Sequence, residues 1–343
     1  MQKLLADVKT KDELTTYMAL NILEHELTQE KHLIVAWRDQ AKGNHRDVSH
    51  LASSQEEADT KLILHAKEAT SAGATIISIH SQDTDVLVLA LRRYPELCRN
   101  VHFVTGTGQR RRSISLQPIF DALGSSTVAA LPGFHAFSGA DITGRFSGMS
   151  KRKCWKVFVD MDPDVMAAFG QLGTMQNPSE AQMDLLERYV CKLYLPKMDL
   201  TTVADVRWHL FKKKQAQAES LPPTHAALRA AIMRAHYQAL IWSVDVVANP
   251  ELPSPDDYGW YLVEGQYRPV MTTLPPAPEA VIHLVRCSCA KTKCSSNRCK
   301  CRKAGLRCTE LCSCSEGDGC DNMPDDDVGQ DDDDDEPSSD DDE

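Results

Sequence analysis

Nine cysteines crowd between Cys287 and Cys320, and no other feature restricts the folding of this chain as tightly. They are Cys287, Cys289, Cys294, Cys299, Cys301, Cys308, Cys312, Cys314 and Cys320, separated in turn by one, four, four, one, six, three, one and five residues. A segment this short cannot bury an apolar core, so cross-links must supply its folding energy. Disulfides are one solution, but nine is odd, and Met1-Gln-Lys-Leu-Leu-Ala-Asp7 puts an acid where a signal peptide needs an apolar stretch. Thiolate ligation of zinc is the other. Tetrahedral zinc takes four ligands, so three ions need twelve positions, and nine cysteines fill them if three bridge two metals each. All nine are therefore expected to bind metal, with three structural zinc ions.

Charge divides the chain. Formal net charge is -11, yet Asp325 to Glu343 holds thirteen acids and no base, so the remainder carries about +2. That tail, in residues 323–343, is too charged to pack and is expected to be disordered, able to contact histones or other basic proteins, to fold back over the cysteine module, or simply to solvate the chain. Inside the module the balance reverses: from Arg286 to Arg307 eight bases (Arg286, Lys291, Lys293, Arg298, Lys300, Arg302, Lys303 and Arg307) face no acid. Such a surface favours nucleic acid. No run approaches the roughly 18 apolar residues of a membrane helix, so no membrane partner is expected.

Upstream, helical and extended patterns alternate. Lys11 to Leu27 has helical spacing, Leu33 to Trp37 reads as a buried strand ending at Asp39, and Glu56 to Ala72 is helical. Ala74 to His80 is the strongest strand, a helix starts near Thr84, Val101 to Val104 is a further strand, and Ile114 to Leu123 reads as helix up to Gly124. This alternation predicts an α/β fold, a parallel sheet with flanking helices. Lys151 to Val159, Glu180 to Leu195 and Thr224 to Val247 are helical, and seven prolines between Asn249 and Pro278 predict an extended linker packing through Trp260 and Tyr261. The expected order is a sheet domain over 1–160, a helical extension over 161–248, a linker over 249–285, the zinc module over 286–322 and the tail.

Five carboxylates fall where open α/β sheets place their sites. Asp83 and Asp85 follow the strand ending at His80, Glu57 and Asp59 open the preceding helix, and Asp141 stands in the loop Ser138-Gly-Ala-Asp-Ile-Thr-Gly144. Carboxylates converging on one sheet end repel one another unless cations lie between them, and Mg²⁺ or Mn²⁺ prefers such oxygen ligands. The bland alternative is local: Ser54-Gln-Glu-Glu57 fits a capping box and Asp83 can cap the helix that follows. Arg110-Arg-Arg112 and Lys151-Arg-Lys153 flank the Asp141 loop in sequence, either as solvated surface or as a phosphate-binding one, with Lys151 and Arg152 the expected DNA contacts. His65, His80 and His135 make no metal motif and read as structural or surface residues.

Taken in order, Glu57-Ala-Asp59, Asp83-Thr-Asp85 and Gly139-Ala-Asp141 followed by Phe146-Ser-Gly-Met-Ser-Lys-Arg152 resemble the PIN-like nuclease domain of the flap endonuclease and XPG superfamily. The phrases Glu-Glu-Ala-Asp-Thr-Lys and Leu-Pro-Gly-Phe-His-Ala-Phe-Ser-Gly-Ala-Asp are similar to a divergent branch found in proteins of mobile-element origin. The resemblance covers roughly residues 12 to 160. It implies metal-dependent phosphodiester hydrolysis, with Glu57, Asp59, Asp83, Asp85 and Asp141 catalytic and Asp39 a further metal ligand. It also implies a first strand upstream of Lys11, for which only about ten residues remain, so that strand is expected to be missing. Ala140 replaces the family's cysteine, and the stretch between Asp39 and Ser54 leaves no room for a helical arch, so threading of a free 5′ end is not implied.

The cysteine spacing, with Gly305 in the long gap and Asn322 beyond the last cysteine, resembles a tesmin-type CXC domain. That family binds DNA, some members through a tyrosine beside the central Cys-x-Cys; this chain has Arg298 there, and Arg298 and Lys300 are the expected DNA contacts. Together the resemblances imply a nuclear, DNA-associated protein with a nuclease domain. The alternative is a non-catalytic DNA- or chromatin-binding protein on a degenerate scaffold.

Overall fold

The computed structural model describes residues 7–24, 31–140, 142–174, 176–212 and 221–270, and in the cysteine-rich stretch 287–289, 293–303, 306–308, 312–314 and 320–322. The described residues up to His209 and from Leu221 to Val270 belong to one compact unit, and the cysteine-rich residues to a second. Helices beyond residue 160 therefore share a unit with the sheet.

The sheet has three strands in the order β3-β4-β5, formed by β3 (Ile76–His80), β4 (Asn100–Thr105) and β5 (Arg112–Ser115). β3 and β4 are parallel, with Ile77 opposite Val101 and Ile79 opposite Phe103; β5 runs antiparallel to β4. The sheet is thus mixed rather than parallel. Residues 112–115, expected to lead into a helix, instead turn back along β4, because the short loop through Gly106 and Gly108 permits only an antiparallel return. Ile77, Ile79, Val101 and Phe103 are buried, whereas Ile76 is 65% exposed, the period-two alternation of a strand packed on one face.

A second expectation also changes. Leu33 to Trp37 does not enter the sheet: β1 (Ile34–Trp37) pairs antiparallel with β2 (Gln40–Gly43) in a separate hairpin, turning at Arg38, whose φ is +48°. The polar Gln40-Ala-Lys-Gly43 run hides this return strand in the sequence. Arg38 pairs with Asp12 on α1 (Val8–Glu24), tying that helix to the turn.

Helices α2 (Ala58–Ser71) and α3 (Thr84–Arg93) flank β3 in sequence, and Val86, Leu89 and Ala90 bury α3 completely on one face. α4 (Leu116–Phe137) begins two residues later than the sequence suggests and continues past Gly124, where φ 77° and ψ 159° break it into two segments. Its second segment is wholly apolar or small from Ala130 to Ala136 apart from His135, and is buried. There α4 packs on α6 (Pro163–Gln171) so closely that a Cβ on Gly133 would stand 2.2 Å from the Phe169 carbonyl oxygen. α5 (Lys151–Val159) and α7 (Glu180–Tyr194) complete an aromatic core in which Phe134 stacks on Phe158 at 4.3 Å and Phe169 meets Tyr189 edge-on at 5.1 Å. α8 (Val203–Lys212) follows.

α9 (His225–Ser243) packs across α4. Its carboxyl end is clamped: Gln55 Nε2 donates to the Val244 and Asp245 carbonyls at 3.2 Å each, and Arg93 Nε donates to the buried Asp245 Oδ1 at 2.8 Å. Of the expected linker, residues 260–269 instead form a hairpin of β6 (Trp260–Val263) and β7 (Gln266–Pro269), turning at Glu264 and Gly265, both at positive φ. Pro269 is tolerated because it terminates an edge strand. Among the described residues no helix is long and apolar enough to cross a membrane.

Candidate functional site

Asp83 and Asp85 owe their placement to the junction between β3 and α3. Ser81 Oγ accepts from Asp83 N at 3.0 Å, and Asp83 Oδ1 accepts from Asp85 N at 2.9 Å, so Asp83 caps α3 while Asp85 occupies its first turn. Asp59 arrives from the first turn of α2. One carboxylate oxygen from each of Asp59, Asp83 and Asp85 lies within 4.8 Å of the other two, and Asp85 is 8% exposed. Two unit charges at that separation repel by ~3 kcal/mol at an effective dielectric constant of about 20. Hard oxygen donors gathered against such repulsion fit a divalent cation.

The other expected carboxylates are placed differently. Glu57 occupies the N-cap position of α2 without a side-chain capping bond, so the capping box offered as the local alternative does not form. Its two oxygens instead accept from Gln238 Nε2 at 2.8 Å and Trp242 Nε1 at 2.9 Å, both on α9. Asp39 sits in the exposed β1–β2 turn, outside the group of three. Asp141 lies outside the described residues.

A histidine completes the arrangement. His135 Nε2 lies 2.6 Å from Asp85 Oδ1, with both side chains buried, and its ring lies 5.9 Å from that of Trp242. The sequence read His135 as a structural or surface residue; the clue it offered was a lone polar side chain in an apolar helical stretch, which must find a partner when buried. The partners of Glu57 had no local clue, being 181 and 185 residues away.

Asp83 and Asp85 open on a cleft of about 630 Å³. Its apolar wall comes from Val88 on α3, Leu131 and Phe134 on α4, and Trp155 on α5; Lys151 and Arg152 also line it. Ser150 caps α5 through Lys153 N, which fixes these side chains at the cleft. Lys151 Nζ donates to the His135 and Gly139 carbonyls at 2.9 and 2.7 Å, satisfying the open carboxyl end of α4. Burial lowers its pKa to about 8, against the opposing pull of Asp85. Arg152 is exposed.

In the second unit the described thiols form one cluster. Cys287, Cys294, Cys299, Cys301, Cys308 and Cys312 are at most 2% exposed. Sγ–Sγ separations are 3.6 Å for Cys287–Cys294, Cys287–Cys314 and Cys301–Cys312, and 3.8 Å for Cys287–Cys308 and Cys299–Cys308. The edge of a ZnS₄ tetrahedron with bonds of about 2.3 Å is about 3.8 Å, whereas a disulfide is about 2.05 Å. No cysteine of the chain is in a disulfide. Three four-cysteine groups can hold a metal ion, and Cys287 belongs to all of them. Cys289 and Cys320 pack against the cluster from partly buried positions. Asn322 fastens its edge, donating through Nδ2 to the Leu306 carbonyl at 3.0 Å and to Cys308 Sγ at 3.3 Å. Arg298, Lys300, Lys303 and Arg307 are exposed around it, while Arg302 donates to the Cys294 carbonyl at 2.9 Å.

No family model, curated protein or solved structure matches the chain. The fold is α/β with a mixed sheet, flanking helices and a carboxyl-terminal cysteine cluster able to hold metal ions.

Proposed function

We propose that this chain is a DNA-associated protein combining a PIN-like, divalent-metal-dependent nuclease domain with a CXC-type module of three zinc ions that binds DNA. The convergence of Asp59, Asp83 and Asp85 beside a cleft bearing Lys151 and Arg152 carries the reading. A Mg²⁺ or Mn²⁺ ion at the three aspartates would supply Lewis acidity toward a phosphate group. His135 holds the Asp85 carboxylate in one orientation, Lys151 fixes the end of α4 against the cleft, and the exposed Arg152 guanidinium is free to meet a phosphate oxygen. The tetrahedral-edge spacing of the thiols supports zinc, and the exposed bases around the cluster support a phosphate backbone as its partner. A nuclear location follows from a DNA partner, and the acidic tail is suited to histones or other basic proteins.

A second reading is a non-catalytic DNA- or chromatin-binding protein whose PIN-like unit serves as scaffold. It is favoured by Glu57, both of whose oxygens are engaged by α9. The deciding experiment incubates the full chain with duplex, branched and single-stranded DNA and with RNA in Mg²⁺ or Mn²⁺, beside an Asp83→Asn/Asp85→Asn double variant. Cleavage by the wild type alone, with equal binding by both, supports the nuclease. If the wild type cuts nothing yet binds DNA through Arg298 and Lys300, the scaffold reading stands.

A further inference from the structure

The cleft beside the aspartates is built for something other than a duplex backbone. Surfaces that grip duplex phosphates are polar and strongly basic. Here the wall is Val88, Leu131, Phe134 and Trp155, and of the two cations among the described lining residues Lys151 already donates to two main-chain carbonyls. Among the described lining residues one exposed cation, Arg152, remains, three residues before Trp155 and so on the same face of α5. Trp155 is half-buried, braced edge-on by Phe134 at 5.7 Å and flanked by Phe158 at 5.5 Å, so its ring is held rigidly at the cleft. A volume of about 630 Å³ lies in the range of about 300–1,000 Å³ that encloses one drug-sized molecule. A single nucleotide is of that size and a duplex is not.

We infer that this cleft receives one unpaired nucleotide, its base against Trp155 and the apolar wall and its phosphate between Arg152 and the Asp83–Asp85 end. The ligand has a flat apolar face and an anionic group, which matches one aromatic wall, one free guanidinium and an adjoining cation site. A paired base shows only its edges, so the substrate of the site is a single strand, a frayed end or a bulge, or else a free nucleotide. Stacking on an aromatic side chain is worth about 1–3 kcal/mol per base, equivalent to roughly 5- to 150-fold in affinity, and tolerates any base. The inference draws on the nuclease reading only for where the phosphate sits; the base slot stands on the cleft itself.

The test uses the full chain in Ca²⁺ and a single-stranded oligonucleotide carrying one 2-aminopurine, whose fluorescence falls on stacking. The expected result is quenching by the wild type and by Trp155→Phe. Trp155→Ala should bind at least 5-fold more weakly with no quenching, and Arg152→Ala should bind more weakly with quenching retained at saturation. Circular dichroism confirms that each variant folds. A fully paired duplex should not quench. Competition by a mononucleotide at the same concentration as the strand supports the slot and assigns it to a free nucleotide; competition only by the strand supports it and assigns it to a chain. Quenching by wild type and Trp155→Ala alike, or equal quenching with duplex, overturns the slot. Mn²⁺-dependent cleavage is scored separately: quenching without cleavage keeps the slot and removes the nuclease reading, and cleavage without quenching does the reverse.

Discussion

His135 and Asp85 form a buried pair, Nε2 to Oδ1 at 2.6 Å, that joins the carboxyl end of one helix to the amino end of another. Because Asp85 is also one of three aspartates able to share an ion, the histidine governs which way that carboxylate faces.

Replacing His135 therefore reaches the candidate cation site through Asp85 alone. His135→Leu should weaken Mn²⁺ binding, read by calorimetry or electron paramagnetic resonance, by about 10–100-fold, the usual effect of removing a ligand's supporting group. His135→Gln, which keeps an N–H donor, should recover part of the loss. Equal affinity in all three proteins would detach His135 from the site.

In the cysteine cluster, Cys287 Sγ lies 3.6 Å from the Sγ atoms of Cys294 and Cys314 and 3.8 Å from that of Cys308, as expected of a bridging ligand. The purified chain should carry close to three zinc ions by native mass spectrometry, and Cys287→Ser should lose more than one, whereas Cys289→Ser, at the rim, should lose at most one. A wild-type stoichiometry near one would rule out the bridged cluster.

Arg298 and Lys300 lie exposed beside Cys299 and Cys301. Replacing both with alanine should weaken duplex binding at moderate salt and flatten the slope of log K against log salt by about 1.8, two phosphate contacts at about 0.9 each. Asp83→Asn/Asp85→Asn should leave that slope unchanged. A common slope for all three proteins would place the DNA contact elsewhere.

His236 gives the larger unit an acid sensitivity. Its side chain is buried, Nδ1 accepts from Gly173 N at 3.2 Å, and burial lowers its pKa from 6.5 to about 4. Between those values the unfolded chain binds the extra proton, so this contribution is complete above pH 6.5 and is lost as pH falls toward 4, at up to about 1.4 kcal/mol per pH unit. Urea midpoints of the wild type should fall across pH 6.5 to 4 more steeply than those of His236→Gln. Parallel curves would remove His236 as the cause.

What the sequence disclosed follows the range over which each residue acts. Asp83 and Asp85 were legible because a strand signal, a capping residue and a helix pattern adjoin within a dozen positions. The cysteines were legible because their spacing is local. The β1–β2 hairpin was not, since Gln40 to Gly43 carries no apolar alternation, and neither was β5, whose Arg-Ser-Ile-Ser run pairs through backbone groups that side-chain patterns do not report. His135 looked inert because the carboxylate that answers it is 50 residues upstream. Glu57 was read beside Asp59 as one motif, yet its oxygens turn to α9 while Asp59 turns to the aspartates.

The reach from Glu57 to Trp242 also sets a timetable. Translation delivers Glu57, Asp59, Asp83 and Asp85 early, but the groups that answer Glu57, Gln55 and Arg93 lie between Gln238 and Val247. A growing polypeptide that has passed the last aspartate still lacks the helix that pins the first acid. On the ribosome the Glu57 carboxylate can take its final orientation only after α9 has emerged, whereas Asp59, two residues further on, meets Asp83 and Asp85, which are synthesised far earlier.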